Sequence, residues 1–403
     1  MNVLLIALPN NSMKWTPLNL LSLAGTLEDN GIDCKVIDSN IENIYPEIKK
    51  NYDIIGLSVL TNTRWDAFDL ALDIRKLCNS KIVMGGVHAT LMPEQCIKYC
   101  DVVIKGDGES PFLDLCQGKE PIAKTLPIDS LRTAYNKIDL FKYPGKGFTT
   151  HDFRKANGID IKNSPRTSIY SSRSCNSHCR FCSSFYVQGK YRMREPKRVV
   201  DEMESLKPIN HFYFIDDSFY LDKEKGLEFC QEILDRDLKV AFHIQTRADV
   251  LDLEYVTALK RAGCYYVSIG VETGSEKIMD GLHKSVGVSA AEEAIKNCHK
   301  VGLRTEALLI VGNEDEDDES IEETREFLKR VKPTTASSAN RGLMILPGTA
   351  VYQRALREGQ ITEDFWESRV PVKTYKFSQE QIDLWRKRVH TYSFLNNVRW
   401  MWN

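Results

Sequence analysis

The 403-residue sequence has no excess charge of either sign: 54 Lys and Arg stand against 56 Asp and Glu, for a net charge of −2. That balance gives no electrostatic case for a nucleic-acid partner. Long apolar runs are missing too; the longest, such as Ile54 to Leu60, reach about seven residues against the ~20 that a membrane-spanning helix needs. A secretory leader is also absent, since Met1-Asn2 runs directly into Val3-Leu4-Leu5-Ile6-Ala7-Leu8. Together these absences predict a cytoplasmic chain with no membrane span. A composition of 42% hydrophobic and 27% charged residues excludes disordered and collagen-like classes, and the length suggests two or three domains. What the chain does have is eleven cysteines, an odd number. In a reducing compartment a cysteine cluster reads as metal-binding or catalytic.

Residues 1–118 alternate short apolar runs with amphipathic stretches. The strand candidates are Val3–Leu8, Cys34–Ile37, Ile54–Ser58, Lys81–Met84 and Val102–Ile104, with helical spacing over Pro17–Asn30, Arg64–Cys78 and Pro93–Tyr99. This pattern predicts an α/β fold, a doubly wound parallel sheet, whose ligands bind outside the carboxyl ends of the strands. Those ends carry Ser58-Val59-Leu60-Thr61-Asn62, Gly85-Gly86-Val87-His88-Ala89-Thr90 and Gly106-Asp107-Gly108-Glu109-Ser110. Glycine at a strand end lets a ligand approach the backbone. One such loop is only a turn; three on one edge would make a flat floor for a large planar ligand. Residues 119–165, with Pro121, Pro127 and Pro144, lack periodicity and read as an interdomain linker.

Strand-like Thr167–Ser172 leads into Cys175-Asn176-Ser177-His178-Cys179-Arg180-Phe181-Cys182, spaced C-x3-C-x2-C. Three thiolates in so short a loop can hold one face of a [4Fe–4S] cube and leave one iron open. A zinc site would want a fourth ligand, for which His178 is in reach. Cys96 and Cys100 lie in a helical stretch and read as small core residues. From 166 to 350 the strands Phe212–Ile215, Val240–Gln245, Tyr265–Gly270, Glu306–Val311 and Gly342–Ile345 join Thr167–Ser172 in a partial (β/α)6 barrel, with chemistry expected at the carboxyl ends of its strands. The acids Glu314 to Glu319 read as helix N-terminal charge and solvated surface. Lys190, Arg192, Arg194, Lys197 and Arg198 read as a solvated face or a contact to an acidic group. Residues 351–403 form a short helical tail, with an amphipathic helix over Gln379–Leu395 and four of the six tryptophans, Trp366, Trp385, Trp400 and Trp402.

The cysteine spacing with Phe181 before its last member, together with Pro17-Leu18-Asn19-Leu20-Leu21-Ser22-Leu23-Ala24, G-G-V-H-A-T and G-D-G-E, resembles the cobalamin-dependent radical S-adenosylmethionine (SAM) enzymes, over residues 1–350. The resemblance implies a cobalamin-binding domain at 1–118, a linker at 119–165, a radical SAM domain at 166–350 and a helical tail. It implies three cofactors: a [4Fe–4S] cluster on Cys175, Cys179 and Cys182, SAM, and cobalamin. Phe181 would pack on the SAM adenine and Gly312 approach it. Asp216, Asp217 and Ser218 would meet the SAM amino group, and Gln245, Arg247 and Glu272 its ribose and carboxylate. The cobalamin site would comprise Ser58, Leu60, Thr61, Asn62, Gly85, Gly86, His88, Gly106, Gly108 and Glu109. The D-x-H-x-x-G motif that supplies a lower cobalt ligand is missing, which leaves that face to Leu60, Thr61 or Asn62; His88 is expected beside the corrin or its nucleotide tail. The implied activity is methylation of an unactivated carbon through methylcobalamin and a 5′-deoxyadenosyl radical. The substrate would be a small molecule, a peptide or a protein, and the external electron donor of flavodoxin or ferredoxin type. Non-methylating radical chemistry (cyclisation, ring rearrangement or oxidation) is the alternative, and a corrinoid sensor without catalysis a third reading.

Overall fold

The computed structural model describes residues 1–9, 15–143, 156–161, 163–339, 341–369 and 373–400, with residues 391–400 described for their backbone alone. Strands β1 (Val3–Ala7), β2 (Cys34–Asp38), β3 (Ile54–Ser58), β4 (Lys81–Gly85) and β5 (Val102–Val103) form one parallel sheet in the order β2-β1-β3-β4-β5. β1 is buried along its whole length, as a central parallel strand between helical layers must be. Leu21 and Ala24 of helix Leu18–Asp29 and Phe112 of helix Glu109–Cys116 cover one face. Phe68, Ala71 and Ile74 of helix Arg64–Leu77 cover the other. The chain leaves β1 on one side for β2 and returns on the other for β3, so a crevice opens where their carboxyl ends diverge.

The second sheet holds six parallel strands: β6 (Arg166–Ile169), β9 (His211–Phe214), β10 (Ala241–Thr246), β11 (Cys264–Glu272), β12 (Arg304–Leu309) and β13 (Thr335–Ser338), in the order β13-β12-β11-β10-β9-β6. Phe212, Phe214, Phe242, Ile244, Val267 and Ile269 alternate outward into the helical layer. Their neighbours His211, Tyr213, His243, Ser268 and Glu306 take the inner face. Between β6 and β9 a short antiparallel ribbon, β7 (Ser172–Arg173) with β8 (Arg192–Met193), frames the cysteine loop.

The sixth barrel strand is not where the apolar pattern puts it. Thr335–Ser338 pairs with β12, whereas Leu343 and Ile345 sink into a separate small core with Val351, Tyr352 and Trp366. The polar Thr-Ala-Ser-Ser sequence suits an edge strand, and helix Gln379–Trp400 packs against that edge, which removes an open row of backbone groups. Of the linker, the Tyr135 hydroxyl donates to Ser168 O at 3.0 Å, with Glu202 Oε1 also at 3.0 Å, and Leu140 packs against the cores of both sheets. Pro144, Trp402 and the Trp400 side chain lie outside the described residues. Among the described residues no helix is long and apolar enough to cross a membrane.

His211 and His243 are buried inside the barrel, where burial pushes both down to about 3. They stay neutral at pH values where the unfolded chain's histidines are charged. A lowered folded-state value gives stability that is complete above the unfolded value of ~6.5 and is lost as pH falls towards the folded one, by about 1.4 kcal/mol per pH unit per histidine. His243→Gln should therefore flatten the fall in urea midpoint between pH 6.5 and 5 relative to wild type, while lowering the midpoint at pH 7.5. Equal slopes would mean that His243 takes up its proton in the folded protein.

Candidate functional site

Cys175, Cys179 and Cys182 sit half-buried on the loop between β7 and β8. Neighbouring strand ends hold that loop. From the end of β10, Arg247 donates to Asn176 Oδ1 at 2.5 Å and Ser177 Oγ at 2.7 Å, with its own guanidinium fixed by Asp249. The backbone N–H of Arg180 donates to Leu282 O at 3.1 Å, and its side chain pairs with Glu314 at 3.1 Å. Burial pushes the Cys179 thiol up to about 11 and raises Cys182 as well, so their deprotonation must accompany metal binding. The donor set fits a cube with one open iron. His178, the fourth ligand that zinc would need, instead packs its ring 4.2 Å from that of Phe185.

Facing this loop is a cleft of about 420 Å³ at the crevice of the first sheet. Gly85, Gly86, Gly106 and Gly108 floor it, and Leu5, Gly56, Val83 and Phe112 make its apolar depth. A methyl group at Gly56 would come within 2.8 Å of the Leu5 side chain and 3.1 Å of the Phe112 ring, and Gly86 takes φ +97°, a conformation that glycine permits. The far wall comes from the barrel domain: Tyr170, Ser172, Arg173, Val187, Gln188, Ile215 and Asp217. A flat glycine edge, an apolar depth and a polar rim suit a planar macrocycle.

The two walls are joined by buried charge. Arg173, two residues before Cys175, reaches Glu109 at 2.6 Å and Asp107 at 3.3 Å, while Arg192 reaches Asp107 at 2.5 Å. The Ser22 hydroxyl donates to the same Glu109 oxygen at 2.6 Å. Burial alone would raise the Glu109 carboxyl; the Arg173 guanidinium beside it outweighs that and holds it below the usual carboxylate range. Arg192 and Arg194, read from sequence within a basic solvated face, thus turn inward, Arg194 to Glu202 at 2.8 Å. The acidic run is not simply solvated either. Glu314 pairs with Arg180 and Arg354, and the buried Glu316 accepts the backbone N–H groups of Gly312 and Asn313, with burial pushing it up to about 7.

The residues singled out in the sequence divide by placement. Ser58, Leu60, Gly85, Gly86, Gly106, Gly108 and Glu109 line the cleft. His88 does not. It is fully buried behind its loop, with Nε2–H donating to Gln95 Oε1 at 2.7 Å and Nδ1 within 3.3 Å of the Thr61 hydroxyl, so neither ring nitrogen faces a ligand and the residue anchors the loop. Thr61 is thereby turned inward, and Asn62 is exposed and does not line the cleft. Of the barrel residues Asp217 lines the cleft and accepts from Gln188 at 3.0 Å and from Ser184. Asp216 is buried and its Oδ1 accepts from Ser171 N at 2.9 Å, Ser171 Oγ at 2.8 Å and Ser172 Oγ at 2.7 Å. Burial pushes it up to about 6, and its bonds fix the start of the cysteine loop instead of reaching a ligand. Ser218 is likewise buried, its carbonyl 2.9 Å from the same Ser172 hydroxyl. Glu272 holds a left-handed φ of +65° and pairs with Lys284 at 2.6 Å. Gln245 is the penultimate residue of β10, in register with Ser268, and Gly312, at φ +86°, lies under Ile382 of the C-terminal helix. Phe181 packs into the small core with Val351 and Trp366. Sequence reasoning did not assign roles to Arg173, Asp107, Trp15 and Gln188. The position of Arg173, two residues before the first cysteine, and that of Asp107, inside the G-D-G-E loop, are the signals that could have found two of them.

Two family models match in the order of the two sheets: the B12 binding domain over residues 7–116 and the Radical SAM superfamily over residues 169–328. The chain thus carries a B12-binding domain followed by a radical SAM domain, the domain order of cobalamin-dependent radical SAM enzymes. Its cofactors are accordingly a [4Fe–4S] cluster, SAM and cobalamin. An uncharacterized methyltransferase of Pyrococcus horikoshii is 27% identical over 421 residues, covering 95% of this chain and 90% of that protein. The anaerobic magnesium-protoporphyrin IX monomethyl ester cyclase of Rubrivivax gelatinosus is 29% identical over 364 residues, 81% of this chain but 64% of that protein. The fold matches the solved structure of the radical SAM methyltransferase TsrM of Kitasatospora setae, with cobalamin and a [4Fe–4S] cluster bound, at a TM-score of 0.70 and 19% identity, over 88% of this chain and 75% of that one.

Truncating one partner of a buried ion pair leaves the other uncompensated. Glu109→Ala should destabilise the enzyme by about 3 kcal/mol in urea unfolding, and more than Glu109→Gln, which keeps a neutral acceptor for Arg173. Equal effects would show that charge is not what the pair contributes.

Proposed function

We propose that the protein is a methyltransferase that methylates an unactivated carbon. The observation that carries this reading is that the cysteine loop and the glycine-floored cleft share one wall: Val187 and Gln188, five and six residues past Cys182, line the cleft. When bound, the cluster with SAM supplies a radical that removes hydrogen from the substrate, and cobalamin supplies the methyl group. The chain's part is to bind, orient and exclude water. Cys175, Cys179 and Cys182 would hold the cluster. Arg247 and Glu314 keep the cysteine loop in place, and Gln245, Glu272 and Gly312, at or just beyond the ends of β10, β11 and β12, would receive SAM. Gly85, Gly86, Gly106 and Gly108, with Leu60 beside them in the cleft lining, would hold the corrin. Ile215 and Asp217 line the barrel side of that cleft. The relative named a methyltransferase, matched over nearly the whole chain, supports this reading. The cyclase relative favours the second, radical chemistry without methyl transfer. The reading further expects a one-electron donor of flavodoxin or ferredoxin type.

Anaerobic reconstitution followed by simultaneous assay of 5′-deoxyadenosine and S-adenosylhomocysteine separates the two. Wild type should form both, and Cys179→Ala should lose the cluster absorbance together with 5′-deoxyadenosine. Formation of 5′-deoxyadenosine without S-adenosylhomocysteine, and no label from methyl-labelled SAM in product, would sink the methyltransfer reading.

A further inference from the structure

The interior of a β/α barrel is normally packed with layers of branched apolar side chains. Here one layer is polar across four neighbouring strands: Tyr213 on β9, His243 on β10, Tyr266 and Ser268 on β11, and Glu306 on β12, with Thr335 of β13 next to it in register. The hydrogen bonds run in one direction. Ser268 has a single proton and gives it to Glu306 Oε2 at 2.6 Å. His243 Nε2, 2.8 Å from the same hydroxyl, must therefore be the donor. The relay ends on a carboxylate that is 6% exposed and, among the described residues, forms no ion pair. Its second oxygen makes no hydrogen bond among them either, and it is not one of the sealed, unsatisfied buried atoms, so it keeps some exposure.

The walls around that oxygen are aromatic. The Tyr213 and His243 rings are 4.4 Å apart, those of His243 and Tyr266 4.8 Å, and Trp15 stands 4.5 Å from Tyr213. Trp15 comes from the loop after β1 and also lines the cobalamin cleft, so the polar layer and the cleft share a wall. A buried carboxylate with no cation of its own is costly unless a ligand supplies one, and aromatic faces attract organic cations.

We infer that Glu306, with Tyr213, Tyr266 and Trp15, forms a substrate-anchoring site for an organic ammonium group. It rests on the reading that the barrel and the cleft serve one substrate. The carboxylate takes the ammonium deep in the barrel, the aromatic rings shield it, and the rest of the molecule extends past Trp15 towards the cleft. Substrates of this enzyme are therefore amines, bound in their protonated form, whose reacting carbon lies away from the nitrogen.

The test uses full-length protein under anaerobic conditions, with benzylammonium as the probe and benzyl alcohol as its neutral counterpart, read by saturation-transfer NMR titration. Wild type should bind benzylammonium saturably, Glu306→Gln at least tenfold more weakly, and benzyl alcohol should not displace it. Trp15→Leu, in the first loop and outside both sheets, should weaken binding several-fold and carries the test if Glu306→Gln fails to fold. No saturable binding to wild type, equal binding by wild type and the folded variants, or displacement by benzyl alcohol would overturn the site. Loss of S-adenosylhomocysteine formation with benzylammonium binding intact would remove the methyltransfer reading and leave this site standing.

Discussion

The architecture depends on a buried ionic clasp. Arg173 leaves the barrel domain two residues before Cys175 and ends on Asp107, in a loop that floors the glycine-edged cleft, and on Glu109, at the start of the next helix. Burying these charges costs several kcal/mol per ion before any pairing, so the clasp is better understood as a device for specificity than as a source of stability. The observed placement of the two sheets satisfies both carboxylates, Ser22 and the second arginine, Arg192, together. Burial also shields the clasp from the salt screening that weakens surface pairs. Because Glu109 opens the first turn of its helix, the helix dipole favours its charge as well.

A second constraint comes from the C-terminal segment, which touches both halves. Trp366 is fully buried; its carbonyl accepts from Gln95 Nε2 at 2.5 Å, and the Arg64 guanidinium lies 4.8 Å from its ring. The same small core takes in Met92 from the first domain and Phe181 from the cluster loop. His88 is one member of this arrangement, tied through Gln95 to the tail. The cluster loop is therefore held from three directions: by Arg173 and Arg192 towards the cleft, by Arg247 and Glu314 from strand ends, and by packing on the tail.

Much of this was legible in the sequence. The five strands of the first sheet, the glycine-bearing strand ends and the cysteine triplet follow from local patterns, because buried parallel strands and metal-ligand spacings write themselves into consecutive residues. What was not legible depended on distant partners. Leu343 and Ile345 look like a strand but are buried by the tail. Asp216 stands at a ligand-binding strand end yet spends its acceptors on Ser171 and Ser172. His88 sits in a ligand-type motif and faces away from the cleft. The acids from Glu314 look solvated until Arg180 and Arg354 arrive from either side of them in the chain. In each case the chemistry of the residue was readable and its partner was not.

The central claim is that the clasp sets the cluster loop and the cobalamin cleft on one shared space. Pulsed electron paramagnetic resonance on protein loaded with cob(II)alamin and the reduced cluster tests it most directly, since two paramagnets at one cleft couple through space. The account predicts a resolved dipolar interaction between the two signals in wild type. Two independent, uncoupled signals from fully loaded protein would contradict it.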